Sequence, residues 1–309
     1  MSLLLLTEDD VRRRITMTTA IAVLEEAFRE WGEGRADNAP RQRVRSPGIV
    51  LHQMAAACEY RGVVGWKTYT TTRSGARFHV ALYDAQSGQP TALIEADTLG
   101  RIRTGAATGL AARILAPRDA DTMACIGCGR QATTQIEAVA AVRALREVTV
   151  YCRDRQRRQS FAEAMQRRLE IPVRPCDSAS QAAEDQPIIV TVTTSQTPVL
   201  DDAAIGDGTL VCAVGSNWPH KQEIPAETVL RSQPVVCDDV AACRIEAGEL
   251  IAAAQRGWSW SRAVSLKDLV SGKVAPGQLQ QTETAPRLFK SVGLAIEDVA
   301  LAAEIIHPR

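Results

Sequence analysis

Gly127, Gly129 and Ala132 are spaced Gly-x-Gly-x-x-Ala between an apolar run and an alanine-rich stretch. That spacing suits the binding of a pyrophosphate. Thr122 to Ile126 reads as a buried strand, and Ile136, Val139, Ala140 and Ala144 then recur at helical spacing. A strand that turns on small residues into a helix aims backbone N–H groups and a positive dipole end at one spot. Gly127 permits the tight turn, Gly129 lets the backbone approach phosphate, and Ala132 keeps helix and strand close. The bare pattern is common in Gly-rich turns. A strand before it, a helix after it and a second strand at the right distance make it a dinucleotide signature.

The second strand bears on which dinucleotide. Val148 to Tyr151 is apolar and β-prone. Its end lies about 20–25 residues past the glycines, where an acidic residue would bind the ribose 2′-hydroxyl of NAD. Cys152 stands there, followed by Arg153, Asp154 and Arg155, then Arg157 and Arg158. A thiol neither repels a phosphate nor binds a diol well. Arg153 can stack on adenine or pair with a 2′-phosphate, which favours NADP. Asp154 keeps NAD open, since a loop can bring it back toward the ribose. An arginine-rich, solvated helix start is the plainer alternative.

The elements that must position these residues divide at Pro117. The chain has 309 residues, 45% of them hydrophobic and 23% charged, enough for two domains with a sizeable core. After Pro117 the pattern alternates: strand 122–126, helix 133–146, strand 148–151, helix 155–169. Apolar strands follow at Ile188 to Thr193, Thr209 to Val214 and Val235 to Cys237. Such alternation predicts a parallel sheet covered by helices. Before Pro117, Leu3 to Leu6 reads as a first strand. Ile21, Leu24, Phe28 and Trp31 form one face of a helix closed by Gly32 and Gly34. Short β-prone runs lie at Ile49 to Met54, Val63 to Tyr69, Phe78 to Tyr83 and Thr91 to Glu95. Thr104 to Leu115 reads as a helix rich in small residues. Gly293 to Ile306 has Ile296, Val299, Ala300 and Ala303 on one face.

Basic and acidic residues balance at 36 each, which argues against a nucleic-acid or acidic-membrane partner. No apolar run is long enough to cross a bilayer. The opening leucines lack a basic flank and meet Glu8-Asp9-Asp10 too soon for an export signal, so a cytoplasmic protein is expected. Of the eight cysteines, Cys125 and Cys128 form a Cys-x-x-Cys that encloses the phosphate loop, and Cys152, Cys212 and Cys237 fall in or beside strands, where they act as small apolar residues; the four histidines are scattered. Neither zinc nor structural disulfides are expected.

Several separated stretches converge. They are Gly65-Trp66-Lys67, Arg101-Ile102-Arg103-Thr104-Gly105-Ala106, the Gly127 loop, and Val214-Gly215-Ser216-Asn217 with Glu223. Phe289-Lys290-Ser291-Val292-Gly293 and Glu297-Asp298 follow near the end. In this order they resemble the ornithine cyclodeaminase and mu-crystallin family over nearly the whole chain. The resemblance implies an α/β protein: a Rossmann-type NAD(P)-binding domain over 117–288 and an α+β substrate-binding and dimerisation domain over 1–116. Residues 289–309 would form a C-terminal helix returning to the first domain. It also implies a homodimer and hydride transfer between a nicotinamide and the α-carbon of an amino or imino acid.

Carried over by motif, Arg41, Lys67 and Arg103 are the implied ligands of the substrate carboxylate. A planar guanidinium holds such a group bidentately and so aims the α-carbon. Lys67 would also give a proton or hydrogen bond near the reacting nitrogen. Thr104, Gly127, Gly129, Arg130, Gln131, Ala132, Arg153, Thr193 and Gly215 are the implied cofactor ligands, with no metal. Asn217 departs from the aspartate that the cyclodeaminases and the related alanine dehydrogenases carry. Asn cannot act as a base or carry negative charge at neutral pH. It points away from ornithine cyclodeamination and toward an NAD(P)H-dependent reductase of a ketimine or cyclic imino acid, or in reverse an amino-acid dehydrogenase. A cyclodeaminase with Lys67 as base stays open, as does a mu-crystallin-type NADPH-dependent binding protein. Ser216-Asn217 capping a turn before Pro219 is the structural alternative.

Overall fold

The computed structural model describes residues 3–275, 279, 282 and 284–308. They form two units, one running to Ala106 and resuming at Gly293, the other Ala107–Val292. The first unit holds β1 (Leu4–Leu6), α1 (Glu8–Arg14) and α2 (Met17–Gly32). After these come β2 (Ala36–Asn38), β3 (Gln42–Ser46), β4 (Ile49–Cys58), β5 (Val63–Thr72), β6 (Gly75–Asp84) and β7 (Pro90–Glu95). The strands make one sheet in the order β1-β7-β6-β5-β4-β2, with β3 also paired to β4. All pairs are antiparallel except β1 with β7.

Strand alternation places the chemistry. Along β5 the buried positions are Val63, Gly65, Lys67 and Tyr69, all on one face. A helix near the end of the chain, spanning Ala295–Ile306, packs on β4 and β5 and against α2. Gly65 makes that approach feasible, because a Cβ there would fall 2.7 Å from the Ala81 carbonyl oxygen and 3.1 Å from Val299. The four β-prone runs read from the sequence are all strands: β4 and β5 run on past the C-terminal end of the pattern, β7 begins one residue before it, and β6 extends at both ends. β2 and β3 were not anticipated: β3, Gln-Arg-Val-Arg-Ser, is mostly exposed and carries no apolar alternation.

The helix expected from Thr104 begins earlier. As α3 it spans Asp97–Leu115 and so carries Arg101 and Arg103. The division between the units falls inside it, between Ala106 and Ala107, whereas the composition change at Pro117 marks the end of the helix.

The second unit is an all-parallel sheet covered by helices. In chain order its elements are β8 (Thr122–Ile126), α4 (Ala132–Ala140), β9 (Glu147–Tyr151), α5 (Arg155–Leu169), β10 (Val173–Pro175), α6 (Ala179–Ala183) and β11 (Ile188–Thr191). Next come β12 (Leu210–Ala213), α7 (Ala226–Arg231), β13 (Val235–Cys237), α8 (Val240–Glu246), α9 (Gly248–Gln255), β14 (Ala263–Ser265), α10 (Leu266–Val270) and β15 (Arg287–Lys290). The helix of the first unit is accordingly α11. Strand order is β10-β9-β8-β11-β12-β15-β13-β14. β8, β11 and β12 are buried at every residue, as strands covered on both faces must be. The order reverses between β8 and β11, the switch point at which such sheets bind ligands.

Two expectations are corrected here. α4 ends at Ala140, so Ala144 lies beyond it and is exposed. The chain tightens past α4, with the Val142 N–H on the Val139 carbonyl at 3.1 Å, and the Arg143 guanidinium reaches the carbonyls of Ala112 at 3.0 Å and Ala116 at 3.2 Å. Phe289 and Lys290, grouped from the sequence with the last helix, belong to β15, which pairs with both β12 and β13 inside the parallel sheet. No helix among the described residues is long and apolar enough to cross a membrane.

Candidate active site and dinucleotide cradle

In the second unit a cavity of about 540 Å³ opens at the carboxyl ends of β8, β9 and β11. Gly127 begins the loop with φ of +120°, and a Cβ there would fall 2.5 Å from the Val192 carbonyl oxygen. Only glycine fits that conformation and that gap. Its N–H donates to the Tyr151 carbonyl at 2.7 Å, tying the loop to the end of β9. A Cβ at Gly129 would meet nothing within 4 Å. Gly129 lines the cavity, so a side chain there would occupy the cradle itself. α4 starts at Ala132, which is wholly buried, and no side chain caps its first turn. A loop of this form at a helix N-terminus fits a pyrophosphate.

The ribose end is built from β9 and α5. The Cys152 thiol donates to the Asp154 carbonyl at 3.3 Å, and Cys152 and Arg153 both line the cavity. Asp154 Oδ1 accepts the Arg157 N–H at 2.9 Å, so this carboxylate caps α5. Arg157 Nε donates to the Cys128 carbonyl at 2.9 Å, joining helix α5 to the glycine loop. Arg158 is buried and bonds the Cys152 carbonyl and Asp177, which makes it a structural arginine.

On the other side of the switch point, one carboxylate holds two strand ends. Glu223, fully buried, accepts the Thr193 N–H at 2.6 Å, the Thr193 hydroxyl at 2.8 Å and the Gly215 N–H at 2.6 Å. Gly215 is obligatory, since a Cβ would lie 2.4 Å from Thr193 backbone atoms. The Lys290 ammonium sits 3.2 Å from Glu249 and donates to the Ser216 carbonyl at 3.0 Å. Burial raises the Glu223 carboxyl, and Glu249 adds to the shift, while Lys290 opposes it. Burial works to lower Lys290, but Glu249 and Glu223 outweigh it and hold the ammonium above its usual value.

The first unit contains a second cluster, of buried charges. Lys67 Nζ donates to Asp298 Oδ1 at 2.7 Å. Arg103 donates through Nη1 to Glu297 Oε2 at 2.7 Å, and its Nε lies 3.3 Å from Asp298 Oδ1. Lys67, Glu297 and Asp298 are at most 2% exposed. Burial pulls the Lys67 ammonium down to about 8 and nearby Arg103 adds to this, while Asp298 resists. Burial also works to lower Arg103, but Asp298 and Glu297 hold it firmly charged. Two glycines make room: a Cβ at Gly100 would lie 3.1 Å from Lys67 Nζ, and one at Gly293 would lie 2.6 Å from Arg103 Nη1. Arg41 donates from Nη2 to the Gly293 carbonyl at 2.8 Å.

Aromatic rings flank these cations. His52 stacks on Tyr69 at 4.1 Å between centroids, and Tyr69 on Phe78 at 5.1 Å. Lys67 Nζ lies 5.6 Å from the Phe78 ring and 6.0 Å from that of Tyr69, within cation–π range. Burial, with Arg43, Arg41 and Arg45 nearby, depresses His52 to about 4, so its ring is neutral at physiological pH.

Of the residues singled out from the sequence, Gly127, Gly129, Arg153 and Thr193 line one cavity. Ala132 sits behind it, Gly215 packs on Thr193, and Gln131 holds the N-cap position of α4 with Arg130 exposed beside it. Arg130, Gln131, Ala132 and Gly215 are not among the cavity's lining residues. Asn217 is half-buried in the loop after β12. Thr104 lies in the first unit, its hydroxyl donated to the Gly100 carbonyl at 2.7 Å. Lys67, Arg103 and Arg41 are gathered around the first turn of α11. Sequence reasoning gave no role to Asp298, Glu297, Glu223, Glu249 or Arg157. Adjacent acids opening an otherwise apolar helix were the available signal for the first two.

The family model for "Ornithine cyclodeaminase/mu-crystallin family" matches residues 1–309. A Delta(1)-pyrroline-2-carboxylate reductase of Bacillus cereus is 30% identical, covering 97% of this chain and 94% of its own. The structure of Thermococcus litoralis Delta(1)-pyrroline-2-carboxylate reductase in complex with NADH and L-proline superposes with a TM-score of 0.91 at 30% identity, covering 99% and 98% of the two chains. An archaeal alanine dehydrogenase dimer with bound NAD has a TM-score of 0.91 at 27% identity, covering 99% and 95%.

Proposed function

The chain belongs to the ornithine cyclodeaminase/mu-crystallin family, and from that premise we propose that it is an NAD(P)H-dependent reductase of a cyclic imino acid. The substrate is of the pyrroline- or piperideine-2-carboxylate type, and the reverse reaction is an amino-acid dehydrogenation. One observation carries the reading: a buried lysine, paired with a buried aspartate, has its pKa drawn to about 8 beside a firmly charged arginine. Reducing a C=N bond consumes a hydride at carbon and a proton at nitrogen. An ammonium near neutrality supplies such a proton readily.

The glycine loop, Arg153, Arg157 and Thr193 are assigned to the dinucleotide, which brings the hydride when bound. Arg41 and Arg103 hold the substrate carboxylate, a charge-assisted pairing that also aims the imine carbon. Lys67 shares that grip and gives its proton to the ring nitrogen. Asp298 keeps Lys67 charged enough to do so, and Glu297 keeps Arg103 turned toward its task. The stacked rings of His52, Tyr69 and Phe78 supply an apolar flank beside Lys67. Asn217 hydrogen-bonds the substrate or orients a water, and as an amide it takes no proton.

We further assign a cytoplasmic homodimer that buries exposed apolar residues of the first unit, among them Leu5 and Val44 at 66% and 68% exposure. A monomeric particle by light scattering at micromolar concentration argues against the dimer. The test of the function is a spectrophotometric screen of cyclic imino acids with NADPH and NADH in parallel. Loss of the reduced-nicotinamide absorbance with such an imine supports it, and inertness toward the whole series rejects it.

A further inference from the structure

We propose that Glu223 is the positioning residue for the wall of the dinucleotide cradle that faces Arg153, acting through the ends of β11 and β12. This inference rests on the chain's being a nicotinamide-dinucleotide enzyme.

The strand order supplies the geography. In a doubly wound sheet the two halves of a dinucleotide lie on opposite sides of the switch point. Here the chain leaving β11 faces Cys152 and Arg153, at the end of β9, across one cavity. The chain leaving β11 passes through Thr193, Thr194 and Ser195, all of which line the cavity. The chain leaving β12 passes through Gly215 and Ser216 to Asn217.

Past their paired residues these two segments are joined by one side chain. Glu223 Oε1 accepts from both Thr193 N and Thr193 Oγ1, and Oε2 accepts from Gly215 N. The Glu223 backbone takes part as well: its carbonyl accepts the Val199 N–H at 2.9 Å, and Val199 also lines the cavity. Its own N–H donates to Glu249 Oε1 at 2.9 Å. Three points of the cavity region therefore hang on one residue that lies outside the cavity lining. Only a carboxylate satisfies this pattern, because each of its oxygens faces backbone N–H donors. An amide of the same shape would turn an NH2 group toward one of them. Gly215 cannot relax inward to compensate, since it is already in backbone contact with Thr193.

The experiment measures binding, not turnover, on the full chain. Calorimetry compares wild type with Glu223→Gln for NADPH and NADH, and for the adenosine halves alone, 2′,5′-ADP and ADP. Loosening the β11 and β12 ends is expected to weaken the whole dinucleotide about tenfold or more, the loss of roughly one charged hydrogen bond. The adenosine fragments, whose cavity Thr193 and Val199 line together with Arg153, should weaken by a similar factor. If Glu223→Gln does not fold, Glu223→Asp carries the same comparison, because it keeps the charge and is too short to reach both strands. A variant that binds the dinucleotides and the fragments as wild type does overturns the inference: the carboxylate is then a core clamp only. A wild type that binds neither NADPH nor NADH overturns the reductase reading itself, and this inference with it.

Discussion

Replacing Asp298 with Asn should move the pH profile of imine reduction toward acid. Asp298 Oδ1 accepts from Lys67 Nζ at 2.7 Å, and both side chains are buried. Burial draws Lys67 down to about 8, and Asp298 is the group that limits the fall. Asn keeps the shape and an acceptor oxygen but removes the charge. A hydrogen bond to a charged partner is worth about 1.5–3 kcal/mol. At 1.36 kcal/mol per pKa unit this corresponds to a drop of about one to two units. The sign follows from which form loses its partner: the ammonium does, so the neutral amine is favoured and the pKa falls. Reduction needs the ammonium, so kcat/KM declines as pH rises through the Lys67 pKa. The wild-type profile should bend near 8, and that of Asp298→Asn near about 6–7. In the oxidative direction, which needs the neutral amine, the variant should gain activity at lower pH. The assay is kcat/KM for a cyclic imine at saturating NADPH, taken across the pH range, with Lys67→Met as the control that removes the bend. An unmoved bend in Asp298→Asn refutes the assignment of Lys67 as proton donor.

Gly293→Ala should lower kcat/KM at least tenfold while leaving NADPH affinity unchanged. Its φ of +78° disfavours a side chain by about 1 kcal/mol or more, and the new Cβ would displace Arg103. Steady-state kinetics beside calorimetry checks this. Arg153→Ala should weaken NADPH by about ten- to hundredfold and NADH by much less, the worth of one guanidinium–phosphate pair. Equal losses for both cofactors reject a 2′-phosphate contact. Wild-type protein should form little proline from L-ornithine, and Asn217→Asp, which restores a group able to take a proton, should raise amine oxidation or cyclodeamination. Ammonia release that is the same in both proteins removes Asn217 from the chemistry.

What the sequence disclosed was local. The Gly127 loop, the strand Thr122–Ile126 and the helix Arg155–Leu169 were readable because apolar runs, turn glycines and the Asp154 cap lie within a few residues of one another. α4 reads too long because the apolar spacing continues to Ala144, past the point where Arg143 bonds the last turn of α3 about thirty residues away in sequence. β3 and β15 lacked the signal of an isolated strand: one is too exposed, and the other is only four residues long and was grouped with the last helix through the family resemblance. Lys67 and Arg103 were legible as chemistry-bearing cations through motif resemblance alone. Their counter-ions were not, because Lys67 and Asp298 are 231 residues apart and only the packing of α11 on β5 brings them together. Glu223 was visible as part of a motif, yet its role depends on three donors from the segments that follow two different strands.

The most direct measurement is a stoichiometry: purified protein, NADPH and pyrroline-2-carboxylate, with reduced nicotinamide, proline and ammonia followed together. One NADPH should be consumed for each proline formed, without ammonia. No consumption with this imine or its six-membered homologue, together with ammonia release from ornithine and no net change in the cofactor, would contradict the reductase assignment.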